Sequence, residues 1–457
     1  MRYTKIKNAF VNLMLLLLST LAVVLATELA LRLFWQHPGR YAGATDESLF
    51  WQYDSLLGWS MQANARGEFV RPEFRTTVAT NRLGLRDDEL PATKADNEVR
   101  ILLLGDSVVA GFEVDKDSTL EARLEQRLAR CDPARVYRVI NAGFRGYGTD
   151  QELLFLQRRG LALQPDVVVL AVVPANDPEN NVTVHTAGRV FAKPYFIYDE
   201  LGKLALRGVP VPKQPPSQQI YSPVLTGRPP DWTPEPEEES ASPLAGAKAW
   251  LSRHLYLYAF IAQRLKAAPP QWVAWLQRKG ILHSNVPSAW VNVYRNPMPP
   301  DWQKRWQLTL DLITEIHQLC QERGIRLLVW MFPLKEQIYA RDREIFLRTY
   351  GLDANEIDFD WPQRLLHDFC ERKGIEFVET LALFRRAAQS GRRLHFMSDN
   401  HFNAAGHALI AELLFDRLCQ QSAQAAGNRS GKSWGSWWIR CNRDNHEFWN
   451  LIFRAKS

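Results

Sequence analysis

An apolar run that ends on a small polar triplet, Ile101-Leu102-Leu103-Leu104-Gly105-Asp106-Ser107, constrains this chain more than any other stretch. Four consecutive aliphatic residues without polar alternation predict a strand buried on both faces, as in a parallel sheet covered by helices. Four more short apolar runs share that character, at 136–140, 166–173, 325–332 and 375–378, and the last two each follow a helical segment ending in Gly. Between the runs lie helical patterns. Ser118-Thr119-Leu120-Glu121 reads as a capping box that opens a stripe of Leu120, Leu124 and Leu128. A second helix is expected at 150–161, and a last one capped by Asn403 with Leu409, Ile410, Leu413, Leu414 and Leu418 facing the sheet.

Strand and helix in alternation give an α/β fold, a flavodoxin-like five-stranded parallel sheet with helices on both faces. In such sheets the ligand crevice lies beyond the carboxyl ends of the strands. The residues expected there are Ser107, the Asn141-Ala142-Gly143-Phe144-Arg145-Gly146-Tyr147-Gly148 run, and Pro174-Ala175-Asn176-Asp177. Ser398-Asp399-Asn400-His401-Phe402-Asn403 precedes the last helix. A serine hydroxyl is a weak nucleophile at neutral pH and needs an imidazole to take its proton. A turn serine is the plain alternative for Ser107 taken alone.

Together these four segments resemble the SGNH hydrolases, the GDSL-like esterases and acyltransferases, whose Ser, Gly, Asn and His stand in four separated blocks in this order. The resemblance implies that Ser107 is the nucleophile, His401 its base and Asp399 the residue that orients His401. It also implies an oxyanion hole made by the backbone N–H groups of Ser107 and Gly146 and the side chain of Asn176. Two departures stand out. Pro174 replaces the usual glycine of the third block, and Asp399 and His401 are separated by one residue where two are usual. In extended backbone, side chains two apart point the same way, so the shorter spacing still allows the pair to meet. That spacing, followed by Phe402 and Asn403, resembles the membrane-anchored bacterial branch that acts in exopolysaccharide O-acetylation, including the alginate acetylation proteins.

The 457 residues divide into five expected parts. Residues 1–34 are a membrane anchor: the apolar stretch 9–27 would span about 28 Å as a helix, enough for a bilayer core. Arg2, Lys5 and Lys7 hold the amino terminus in the cytoplasm and leave the body outside. By the resemblance this is a single pass through a bacterial inner membrane with the catalytic domain in the periplasm. A cleaved signal peptide is the rival reading, but no small-x-small site follows the stretch. Residues 35–97 form a β-rich extension with a strand at 74–79. Residues 98–182 and 301–421 form the SGNH-like catalytic domain. Residues 183–300 are an insertion, a Pro-rich linker followed by a helical cap at 244–265, with extended chain at 194–198 and 208–212. Its Trp250, Leu251, Leu255, Tyr258, Ile261 and Leu265 read as a core-facing stripe, sugar stacking being the alternative. Residues 422–457 are a basic, Trp-rich tail, read as disordered.

The net charge of +6 is mostly terminal, since the body between Lys7 and the tail is close to neutral, and this excludes a nucleic-acid partner. The five cysteines stand singly, without zinc or redox spacing, and Cys320 and Cys370 read as buried thiols. His185, His254, His395 and His407 read as structural, and Asp106 and Asp177 as hydrogen-bonding supports. No cofactor or metal is expected. The expected partners are a glycan or acyl-ester substrate, the membrane through residues 1–34, and a membrane protein that supplies acyl groups. The resulting expectation is a serine-dependent esterase or O-acyltransferase acting on ester groups, O-acetyl above all, of an extracytoplasmic glycan. Two alternatives stand beside it: a lysophospholipase or thioesterase, and a catalytically inactive, membrane-tethered glycan-binding module.

Overall fold

The computed structural model describes residues 2–35, 50–71, 73–186, 189–215, 218–232, 250–251, 254–282, 284, 286 and 288–427. The first stretch is one helix, α1 (Arg2–Phe34), whose segment Phe10–Phe34 is long and apolar enough to cross a membrane. Two antiparallel hairpins follow, β1 (Trp51–Asp54) with β2 (Gly58–Met61) and β3 (Arg66–Arg71) with β4 (Phe74–Ala79). Their buried Phe50, Leu57, Phe69 and Val78 join the main core, so the extension packs on the sheet domain. Residues 36–49, part of the expected extension, lie outside the described residues, as does the tail from 428 onward.

The sheet is the one read from the sequence. It is built from β5 (Glu98–Gly105), β6 (Val136–Gly143), β7 (Val167–Val172), β12 (Arg326–Met331) and β13 (Glu376–Val378). The order is β6-β5-β7-β12-β13, every pair parallel. Numbered within the sheet this is 2-1-3-4-5, the flavodoxin-like order, with β7 buried along its whole length. Between β5 and β6 run α2 (Ser107–Ala110) and α3 (Leu120–Cys131), and between β6 and β7 lies α4 (Thr149–Phe155). Gly105 is in register with Gly143, so both chains leave the sheet together. A Cβ on Gly143 would sit 2.2 Å from the Ala110 nitrogen, so only glycine lets α2 lie against β6.

Two local expectations need correction. The capping box at Ser118 does not form: Thr119 precedes α3, its hydroxyl donates backward to the Lys116 carbonyl at 2.5 Å, and Glu121 is buried beside the Lys116 ammonium at 3.2 Å. The helix expected at 150–161 stays α-helical only to Phe155, then widens into a π-turn over Leu156–Gly160. Of the two stretches expected as extended chain, 194–198 forms β9 (Tyr195–Tyr198), paired with β10 (Leu204–Arg207), and 208–212 enters no strand. In the same insertion, β8 (Thr183–His185) pairs with β11 (Ile220–Tyr221), after α5 (Asp177–Val182).

The helical cap differs most. Residues 244–249 lie outside the described residues, residues 250, 251 and 254 are helical, a break at Leu255 precedes α6 (Tyr256–Leu265), and the expected stripe is not core, since Trp250 and Ile261 are exposed. The cause is a partner that periodicity does not reveal. Glu28 of α1 accepts hydrogen bonds from the Tyr256 and Leu257 nitrogens at 3.1 and 2.8 Å and so caps α6, while Arg32 donates to the His254 carbonyl at 2.8 Å. Next come α7 (Pro270–Arg278), α8 (Pro300–Glu322), α9 (Ala340–Tyr350), α10 (Trp361–Lys373) and α11 (Leu381–Gln389). The last helix, α12 (Ala404–Gly427), is capped by Asn403, which accepts from the Ala405 and Gly406 nitrogens at 2.9 and 3.1 Å. Cys320 and Cys370 are buried and free.

Candidate active site

Ser107 is the first residue of α2, immediately beyond β5. Asp106 caps that single turn by accepting from the Val108 nitrogen at 2.9 Å, and Gly111, at φ +62°, ends it in the left-handed region. This single turn places the Ser107 hydroxyl just beyond the carboxyl end of β5. Opposite it stands the loop before α12. A bridge between His395 and Phe402, with Phe396 N–H donating to the His401 carbonyl at 3.2 Å, fixes the backbone around His401. Lys335 donates to the Met397 carbonyl at 2.7 Å, and Glu73, in the β3–β4 turn, accepts from the Met397 and Ser398 nitrogens. The N-terminal hairpins therefore clamp this loop.

Held so, His401 Nε2 lies 2.7 Å from Ser107 Oγ, and its Nδ1 lies 2.5 Å from Asp399 Oδ1. The same carboxylate oxygen accepts from the His401 backbone nitrogen at 2.9 Å, a contact that a one-residue spacing allows. Hydroxyl, imidazole and carboxylate form one hydrogen-bonded chain. Burial alone would favour neutral imidazole, but Glu113 and Asp399 outweigh it and raise the His401 pKa to about 9. Burial is likewise outweighed at Asp399, where the facing imidazole and its N–H bonds hold the carboxyl well below the usual range.

Glu113 is the residue that sequence reasoning missed. Its Oε1 lies 3.4 Å from His401 Nδ1 and 2.5 Å from Arg145 Nη1, and the side chain is 1% exposed. Arg145 in turn sits over the rings of Phe69 and Phe112. No local pattern marks it, because its contact with His401 joins segments far apart in sequence.

On the other side, Asn176 Nδ2 donates to Asp106 Oδ2 at 2.7 Å, which brings the amide beside the residue before Ser107. Burial raises the Asp106 pKa despite that bond and the one from Val108. Pro174 fits the turn because the donors there are the Asn176 and Asp177 nitrogens, both 3.0 Å from the Val173 carbonyl, so the missing N–H is not needed. Asp177 accepts from the Val173 nitrogen at 2.9 Å, and burial, with Asp106 nearby, pushes its pKa well above the carboxylate range. Gly146 has φ +82°, and its segment is tied to β5 by Phe144 N–H donating to the Gly105 carbonyl at 3.0 Å. No hydrogen bond among the described residues joins Gly146 to Ser107 directly.

Two clefts are lined by residues of the same segments, one at Gly146 and one at Met397 and Asn400. One, of about 510 Å³, is lined by Gly146, Trp51, Trp59, Asn180, His185 and Arg189. The other, of about 600 Å³, lies between Met397 and Asn400 on one side and Lys266, Val273, Gln277 and Arg341 on the other. Glu113, Asp399 and His401 also offer donor atoms within 4.8 Å of one another. A bridging ion bonded at about 2.0–2.2 Å would hold its ligands roughly 3 Å or more apart. The 2.5 Å contact of Asp399 with His401 is thus a hydrogen bond and leaves no room for one. His395 and His407 are buried, with burial pushing His395 well below its usual pKa and His407 down to about 3. His185 lies between the Gln218 and Arg189 carbonyls, and His254 is exposed, its Nδ1 2.9 Å from the Trp250 carbonyl.

Among curated proteins none matches this chain. Solved structures similar to it include an acetyl xylan esterase, AlAXEase, at 10% identity, covering 70% of this chain and 100% of that one with a TM-score of 0.34. Axe2, an acetylxylan esterase from Geobacillus stearothermophilus, is 11% identical, with 72% and 97% covered and a TM-score of 0.33. LAE5, an alpha/beta hydrolase from the metagenome of Lake Arreo, Spain, is 14% identical, with 71% and 96% covered and a TM-score of 0.31. Likenesses this distant carry no argument about activity. Residues 294–437 match the family model described as SGNH hydrolase-like domain, acetyltransferase AlgX, a span that holds Asp399 and His401 and leaves Ser107, Gly146 and Asn176 to the sheet strands before it. That match covers under a third of the chain, residues 294–437, and what it shows is a similarity of this part to an SGNH hydrolase-like domain, beside a five-stranded parallel sheet of flavodoxin-like order.

Proposed function

We propose that this protein is a serine-dependent O-acyltransferase or esterase that moves acetyl groups on a glycan outside the inner membrane. Residues 1–34 are its anchor, the sheet domain its catalytic body and residues 183–300 its cap. The hydrogen-bonded chain Ser107–His401–Asp399 is the observation that carries the reading. In this mechanism Ser107 Oγ attacks the ester carbonyl carbon while His401 Nε2 takes the hydroxyl proton. Asp399 holds the imidazole by its Nδ1–H and stabilises the imidazolium. The carbonyl oxygen becomes an oxyanion facing the Ser107 and Gly146 N–H groups and the Asn176 amide. Collapse expels the alcohol, which takes the proton from His401, and leaves an acyl-serine. Water or a sugar hydroxyl, deprotonated by the same imidazole, then takes the acyl group and frees Ser107.

The match to an acetyltransferase family model supports acetyl as the group moved, and the basic residues before the apolar segment of α1 support an extracytoplasmic body. The test is a panel of acetylated oligosaccharides, 4-nitrophenyl acetate and long-chain esters, read as acetate released and as acetyl moved to an acceptor sugar. Turnover of acetyl esters that vanishes in Ser107→Ala is expected. A folded Ser107→Ala variant with wild-type turnover, or a preference for long-chain acyl groups, would overturn the proposal.

A further inference from the structure

We infer that α6 and α7 form a second, peripheral membrane contact, a basic and Trp-bearing platform that rests on the anionic phospholipid surface around α1. The inference rests on the reading of α1 as a membrane span. From residue 240 to residue 300 the chain contains no Asp or Glu but seven basic residues, Lys248, Arg253, Arg264, Lys266, Arg278, Lys279 and Arg295. Its α7 is two-faced. Val273 and Ala274 are buried, whereas Trp272 is 58% and Trp275 42% exposed, and their rings meet edge to face at 6.2 Å. Arg278 and Lys279 are exposed one turn further on. Trp residues beside Lys or Arg on an amphipathic helix are the chemistry of an interfacial helix, whose rings settle at the headgroup level while the cations meet lipid phosphates.

The occupant is named by continuity with α1. Glu28 and Arg32, in the last two turns of the span, hold the start of α6, and Trp35 meets Tyr256 and Phe260 edge to face at 6.3 and 5.4 Å. These contacts fix α6 at the level where α1 leaves the bilayer, where aromatic residues concentrate in membrane proteins. Exposed Leu33 and Phe34 of α1 and exposed Ile261 of α6 add apolar surface at the same end. On its inner side, α7 contributes Val273 and Gln277 to the cleft that reaches Met397 and Asn400, next to His401. Lipid contact by α7 therefore bears on one wall of the candidate site.

The test uses the full chain in vesicles of phosphatidylcholine with and without phosphatidylglycerol. An environment-sensitive fluorophore is placed on Gln271→Cys, which keeps both Trp residues, and on Leu201→Cys, in the exposed turn between β9 and β10; a chain with neither substitution supplies the background. Several-fold protection of residue 271 from an aqueous quencher relative to 201, greater with phosphatidylglycerol and lost in Arg278→Glu/Lys279→Glu, is expected. Equal quenching at 271 and 201 while the chain resists alkaline carbonate extraction overturns the platform and leaves the anchor standing. Extraction by carbonate overturns the anchor and the platform with it. Protection that the double substitution leaves unchanged overturns the electrostatic part.

Discussion

Replacing Glu113 with Gln tests the least expected feature of the site. At 3.4 Å from His401 Nδ1, a full carboxylate charge stabilises the imidazolium by about 5 kcal/mol if the effective dielectric constant is about 20. The Arg145 guanidinium on the same carboxylate repels the imidazolium and offsets part of this. The remainder, about 1.5–3 kcal/mol, corresponds to roughly one to two pKa units. Because His401 must be neutral to act as a base, the rate should climb with pH toward about 9 in the wild type. In Glu113→Gln that limb should move to lower pH by one to two units. The assay is kcat/KM for an acetyl ester from pH 5 to 10, with Ser107→Ala as the blank. Gln keeps an oxygen for Arg145, so loss of fold is not the expected cause of a change. The charged pairing also contributes stability that is fully present below pH 6.5 and lost as pH rises through about 9, and the thermal midpoint should follow it. An acid limb that stays in place in a folded Glu113→Gln variant would refute the coupling.

Two further substitutions probe the same framework. Asp399→Asn removes the acceptor that orients His401 and should lower kcat by about 10³–10⁴ with the fold intact by circular dichroism; a loss under tenfold would put the orienting role elsewhere. Gly143→Ala drives a Cβ to 2.2 Å from the Ala110 backbone and should cost about 3 kcal/mol, read as a lower thermal midpoint; an unchanged midpoint would mean that α2 is free to shift.

The sheet was legible because β5, β7 and β12 are buried on both faces, so their apolar runs carry no competing signal. Ser107, Asp399 and His401 were singled out by the resemblance of four separated segments, and the structure brings their side chains within hydrogen-bonding distance of one another. Glu113 was not singled out, because its contact with His401 joins segments far apart in sequence. The failed capping box shows the limit of local rules: Glu121 had a stronger electrostatic partner in Lys116 than any backbone N–H could offer. The stripe of the cap helix was read as core-facing for a related reason. Periodicity finds a two-faced helix but not what lies against it, and Glu28 lies more than two hundred residues earlier in the chain.

The central claim is that Ser107 is the hydroxyl His401 activates, and covalent trapping tests it most directly. Treating the folded chain with a fluorophosphonate and mapping its peptides by mass spectrometry should find one adduct, on Ser107, that fails to form in His401→Ala. An adduct on another residue, or a folded wild type that cleaves acetyl esters with Ser107 left unmodified, would contradict the account.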